Sequence, residues 1–159
     1  MNRFALSATG LMAATASAAP VEIDVTLDYW AAEAGIQIFN SASSLIASFA
    51  VVSGYLSANG MSIASFAVDG SSAYSSGYTM TLAGDFAAGD YTIVLTDTYA
   101  DGWAWAGVAG GIDGYGGAAT GSAILFSSGS SISGSFTVVP APAGLALLGL
   151  AGLSRRRRG

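Results

Sequence analysis

The chain has no cysteine, no histidine and no lysine. Without cysteine or histidine there is no thiol nucleophile, no histidine-based catalytic triad and no ordinary zinc site. Without lysine there is no Schiff-base chemistry, and no glycine-rich phosphate loop carries a basic residue. Only 9% of the 159 residues are charged, against about 25% in an ordinary soluble domain. Long apolar runs are missing as well. Although 52% of residues are hydrophobic, no stretch reaches the ~18–20 apolar residues that a bilayer-spanning helix requires. Glycine, alanine and serine dominate instead, a composition suited to short strands and tight turns within a single domain.

The charge that is present is distributed unevenly. Arg3 stands at one end and Arg155, Arg156, Arg157 and Arg158 at the other, while all ten acidic residues fall between Glu22 and Asp113. The interior therefore has carboxylates and no side-chain cation to pair with them. Nucleic acid is not an expected partner, because phosphate binding depends on cationic contacts. The acidic domain must tolerate its own repulsion or recruit cations from outside.

Residues 1–18 have the layout of a secretion signal: Arg3, an apolar stretch over 4–16, and Ala16-Ser17-Ala18 as a small-x-small cleavage pattern. Processing between Ala18 and Ala19 by signal peptidase, after passage through the secretion machinery, is the expectation. An oxidising destination permits disulfides without requiring them, so the lack of cysteine is neutral on this point.

The C-terminal segment, 139–159, holds three elements in order: Val139-Pro140-Ala141-Pro142, an apolar run over 143–153, and the arginine block. Proline fixes its backbone and favours the first turn of a helix, so a short helix is expected after Pro142. Its eleven residues would extend roughly 16 Å, about half a hydrocarbon core, with the arginines held on the cytoplasmic side. This order resembles the PEP-CTERM sorting signal of Gram-negative bacteria, with Ala141 where the name motif has glutamate. The resemblance implies recognition and cleavage by an exosortase-type enzyme. It also implies transient anchoring in the inner membrane and delivery to the cell surface or extracellular matrix. A simple retained tail anchor is the alternative.

Between these ends, residues 19–138 are expected to form an all-β domain, an antiparallel sandwich or jelly roll. Val21 to Asp28 alternates apolar and polar residues without interruption, the period of a half-buried strand. Further strands are expected over 35–39, 45–52, 61–68, 78–83, 91–96, 123–126 and 131–138. The run Ile46-Ala47-Ser48-Phe49-Ala50-Val51 recurs at 63–68 and suggests two similar strands within one sheet. The glycine-rich stretch 107–117, with Asp113 and Tyr115, is expected to be a flexible loop and a candidate binding lip.

The segment richest in chemistry runs Gly89-Asp90-Tyr91 through Thr96-Asp97-Thr98-Tyr99-Ala100-Asp101-Gly102-Trp103. A strand leads into a loop with two carboxylates four residues apart. Asp97, Asp101 and Gly102 match positions one, five and six of an EF-hand loop, but Tyr99 at position three and the lack of a distal glutamate exclude an EF-hand. Each aspartate is equally suited to capping a turn. The run resembles the Asp-Ser-Tyr-Gly-Asp-Gly-Trp signature of small secreted β-sandwich modules. Those modules often begin with Asp-x-Tyr-x-x-Glu-x-x-Trp; here Asp28 and Glu33 match, whereas Trp30 and Ile36 depart from it. The resemblance implies a CUB-like jelly roll in which Asp28, Glu33, Asp97 and Asp101 converge on one Ca²⁺. Trp103, following the turn, is expected in the core, and Trp105 at the surface, where with Tyr115 it is a candidate for stacking on sugar.

These features point to an exported binding module for extracellular polysaccharide, supported by Ca²⁺, and not to an enzyme. A purely structural envelope or biofilm-matrix protein is the alternative. An acid-pair glycoside hydrolase, needing only two carboxylates, is the remote one.

Overall fold

The computed structural model describes residues 18–69, 77–105 and 107–139. The signal segment up to residue 17, and the Pro-containing, apolar and arginine parts of the tail from residue 140, lie outside the described residues. So do the helices expected in both. Among the described residues no helix is long and apolar enough to cross a membrane.

The described chain is all-β. Its strands are β1 (Ala19–Leu27), β2 (Ala34–Asn40), β3 (Leu45–Val52), β4 (Tyr55–Asn59), β5 (Ser62–Asp69), β6 (Gly77–Phe86), β7 (Gly89–Asp97), β8 (Gly111–Gly117), β9 (Ala119–Gly121), β10 (Ile124–Leu125) and β11 (Ser131–Val138), with one 3-10 turn at Ala31–Glu33. They form two sheets, β10-β8-β1-β6-β5 and β4-β3-β2-β7-β11-β9. Every pairing is antiparallel.

The alternation along β1 sets the inner face of the first sheet. Ala19, Val21, Ile23, Val25 and Leu27 are buried, while Glu22 and Asp24 between them are exposed. The second sheet contributes Ile36, Ile38, Phe49, Ile93, Leu95, Phe136 and Val138 to the same hydrophobic cluster. Complete burial of one such aliphatic side chain is worth about 1.5–3 kcal/mol. Among the described residues, every member of the cluster lies between Ala19 and Val138.

Three sequence expectations change. The stretch 107–117 is not a loop throughout: Gly111–Gly117 is β8, paired along its length with β1. Its four glycines offer no side chains to mark a strand, and the ladder to β1 depends on backbone groups that every residue has. The repeated strands occupy different sheets, β3 in one and β5 in the other. Consequently Phe49 is buried, whereas its counterpart Phe66 is exposed. Finally, β4 was not expected. It forms a hairpin with β3 through the two-residue turn Ser53-Gly54, with Val52 opposite Tyr55. Both turn residues have positive φ, 52° and 80°, which is the backbone of the tight hairpin turn that glycine favours.

Candidate metal centre

Four acidic residues gather near one end of the two sheets: Asp28 and Asp97 from strand ends, Glu33 from the 3-10 turn and Asp101 from the loop after β7. β1 finishes at Leu27, and Asp28 follows immediately. The 3-10 turn ends at Glu33, one residue before β2, and Ala34 of β2 pairs with Asp97 at the end of β7. The pairing extends one step further: the Thr98 N–H and hydroxyl both donate to the Glu33 carbonyl, each at 3.2 Å. Glu33 and Asp97 are thereby fixed beside each other by backbone register.

The loop after β7 is fastened at several points. Asp97 N–H donates to the Ser130 carbonyl at 2.9 Å, Gly129 N–H to Ala100 at 3.2 Å, and Trp103 N–H to Phe126 at 2.7 Å. Trp103 is 2% exposed. Its ring lies 5.5 Å from Phe126, and its indole N–H donates to the Thr96 carbonyl at 3.2 Å. Gly102 has φ +84°, and a Cβ there would collide with the backbone of residues 126–128. Glycine is thus required for Asp101 to be followed at once by a buried tryptophan.

Within this loop one oxygen of Asp97 does turn chemistry. Its Oδ1 accepts from the N–H groups of Tyr99 and Ala100 at 2.7 and 3.0 Å. The other oxygen, Oδ2, is buried with no hydrogen-bond partner, and Asp97 as a whole is only 4% exposed. Such an oxygen carries an uncompensated desolvation cost. Asp97, Glu33 and Asp101 each offer a carboxylate oxygen such that all three lie within 4.8 Å of one another.

Asp28, 6% exposed, stands outside that trio but within its field. Burial chiefly pushes its carboxyl pKa up; the Trp30 N–H, donating to Oδ1 at 2.8 Å, opposes this, and the charges of Asp101 and Asp97 add to the rise. The Glu33 carboxyl is also pushed up, first by desolvation and then by the charges of Asp97, Asp101 and Asp28. Neighbouring like charges disfavour the ionised form of a carboxyl, which is the sense of both shifts.

Around the acids lies an open cleft of about 310 Å³ lined by Trp30, Glu33, Tyr99, Asp101 and Trp105. Trp105 is 45% exposed, Trp30 46% and Tyr99 76%. Trp30 packs edge-on against Tyr29 at 5.1 Å. Tyr29 in turn lines a second, more apolar cleft of about 360 Å³ with Val51, Leu56, Phe66 and Tyr78.

Tyr115 sits elsewhere. It pairs with Ile23 on β1, five residues before Asp28 and hence about 17 Å along the strand. Its ring stacks on Phe136 at 5.1 Å, and its hydroxyl is buried without a partner, which raises its pKa to about 12. It is a core-packing residue, not part of a binding lip with Trp105. Trp30 and Tyr99, by contrast, line the cleft although sequence reasoning did not propose them as ligand contacts. The available signal was their position, Trp30 two residues after Asp28 and Tyr99 between Asp97 and Asp101.

No protein-family model matches the chain, and neither a curated protein nor a solved structure matches it.

Proposed function

We propose that this is an exported, exosortase-sorted protein of the cell surface or extracellular matrix, whose sandwich or jelly-roll domain is a Ca²⁺-supported binding module for extracellular polysaccharide. The observation that carries the reading is the buried, unpartnered Asp97 Oδ2 grouped with carboxylate oxygens of Glu33 and Asp101. Oxygens on opposite sides of a Ca²⁺ ion stand about 4.6–5.2 Å apart, because each Ca–O distance is about 2.3–2.6 Å. The observed spread of no more than 4.8 Å fits that requirement. Hard carboxylate oxygens are also the donors that Ca²⁺ prefers. The cation would stiffen the two loops that carry Trp30, Tyr99 and Trp105. Half-exposed aromatic rings beside polar groups suit sugar stacking, and the adjoining cleft at Tyr29 gives a longer chain room to continue.

Binding of the full chain to a panel of immobilised polysaccharides, in Ca²⁺ and in chelator, tests this reading. The expected result is retention on at least one glycan, weakened at least tenfold by chelator and by Trp105→Ala. Retention on none refutes the module.

The structural alternative has one observation of its own. β5 is an eight-residue edge strand with Phe66 and Val68 exposed, and such an edge is a template for pairing with another chain. Concentration-dependent assembly without sugar would favour that alternative.

A further inference from the structure

We propose that the polysaccharide held at the Trp30–Trp105 cleft is an amino-sugar polymer with free ammonium groups. This rests on the reading of the domain as a polysaccharide-binding module and adds the class of sugar.

The sign of the local charge is the first argument. Asp28, Glu33, Asp97 and Asp101 bring four carboxylates to one end of the domain, and one divalent cation would neutralise only half of that charge. No lysine, arginine or histidine lies anywhere between Ala19 and Val138 to offset the rest. A uronate or sulfated polymer would approach a negative site without a single cationic side chain to receive it. A polymer bearing ammonium groups would be attracted by the negative charge that remains once the metal is bound.

The shape of the cleft is the second argument. Half-buried Glu33 and exposed Asp101 line the cleft, and buried Asp97 stands behind them with a carboxylate oxygen within 4.8 Å of theirs. The unpartnered Asp97 Oδ2 is the oxygen best suited to a metal. Glu33 and Asp101 face the same cleft as the three exposed aromatic rings. An ammonium group there would donate charge-assisted hydrogen bonds to the Glu33 and Asp101 oxygens that the metal leaves free and lie against ring faces, which attract cations. The carbon face of the same sugar ring would stack on tryptophan. A neutral sugar would use only the stacking component, and an anionic one would oppose the field.

The test uses the full chain in Ca²⁺ at fixed ionic strength on three surfaces. These are a partly de-N-acetylated β-linked glucosamine polymer, the same polymer after re-N-acetylation, and a polyuronate. Wild type is compared with Trp30→Ala, Trp105→Ala and Tyr99→Ala, all of which keep the charge of the protein. The expected result is binding to the amine polymer at least tenfold tighter than to its acetylated form. At least one aromatic variant with an unchanged melting temperature should lose tenfold or more, and soluble glucosamine tetramer should compete. Equal binding to the acetylated polymer, with the same dependence on tryptophan, overturns the amino-sugar assignment and leaves the binding module standing. Amine-polymer binding that no aromatic variant weakens also overturns it, because only diffuse charge attraction would remain. Binding to none of the three surfaces, together with failure on the wider panel, overturns the module itself.

Discussion

At the level of single residues, the absence of basic side chains is met with hydroxyls. Asp24 accepts a hydrogen bond from the Thr81 hydroxyl at 2.8 Å, Asp90 from Thr137 at 2.7 Å, and Asp113 from Thr26 at 2.6 Å. Each pair bridges neighbouring strands. Asp97 Oδ2 is buried and receives no such answer. The raised pKa values of Asp28 and Glu33 give a pH dependence whose sign follows directly. A carboxyl that holds its proton more tightly when folded makes the native state bind more protons than the unfolded chain. Without metal, stability should therefore rise as pH falls from neutral through the raised pKa values towards the ordinary 3.8 and 4.5, apart from contributions of the other acids. Ca²⁺ requires the ionised forms, so its stabilising effect should disappear over the same range. Melts at several pH values, with and without the ion, check both signs. The buried Tyr115 hydroxyl gives a simpler case. Tyr115→Phe removes an unpartnered polar atom, so stability should stay the same or rise by up to about 1 kcal/mol, measured by denaturant unfolding. The contrast between Trp103 and Trp105 was legible in sequence, because a turn before one and small residues around the other set their directions. The position of Tyr115 was not legible, because its strand is mostly glycine.

At the level of elements, alternation of residues made β1 readable nearly to its ends, and β-branched or aromatic runs between turn residues did the same for β3 and β11. The elements that escaped were those whose formation depends on partners. β8 is held by the edge of β1, and β9 is a three-residue strand on β11. β4 follows a turn signal, Ser53-Gly54, that sits between apolar runs and could have been recognised. The sheet assignment of the repeated 46–51 and 63–68 segments was beyond the sequence, since identical strands do not specify which neighbours they meet. The acidic loop after β7 is the element on which the candidate site depends. Gly102→Ala should destabilise the domain by about 1–3 kcal/mol through its positive φ, with the backbone collision adding to it. It should also displace Asp101 from Glu33. A lower melting temperature together with weakened Ca²⁺ binding is the expected outcome. Loss of stability alone would mean that the loop geometry does not govern the cluster.

At the level of the whole molecule, ten carboxylates on a domain without basic side chains make self-repulsion the dominant long-range electrostatic effect. Raising ionic strength shortens the Debye length from about 30 Å at 0.01 M to about 10 Å at 0.1 M. Adding a monovalent salt across that range should therefore raise the melting temperature even without divalent ions. A flat response would show that the acids are far enough apart for water alone to screen them. The composition announced this property, and the resemblance to secreted β-sandwich modules named Asp28, Glu33, Asp97 and Asp101, of which the last three bring carboxylate oxygens within 4.8 Å of one another. That Glu33 and Asp97 stand side by side depends on the register of β2 against β7, which no single strand reveals.

The most direct test of the central claim is thermal unfolding of the full chain and of Asp97→Asn in Ca²⁺, in Mg²⁺ and in chelator at equal ionic strength. An ion that binds only the folded state should add about 2.7 kcal/mol at a hundred times its dissociation constant. For a domain of this size that amounts to a shift of several degrees. The prediction is such a shift with Ca²⁺, little with Mg²⁺, and its loss in Asp97→Asn. A melting temperature indifferent to Ca²⁺, or a shift that Asp97→Asn retains, would contradict the metal centre.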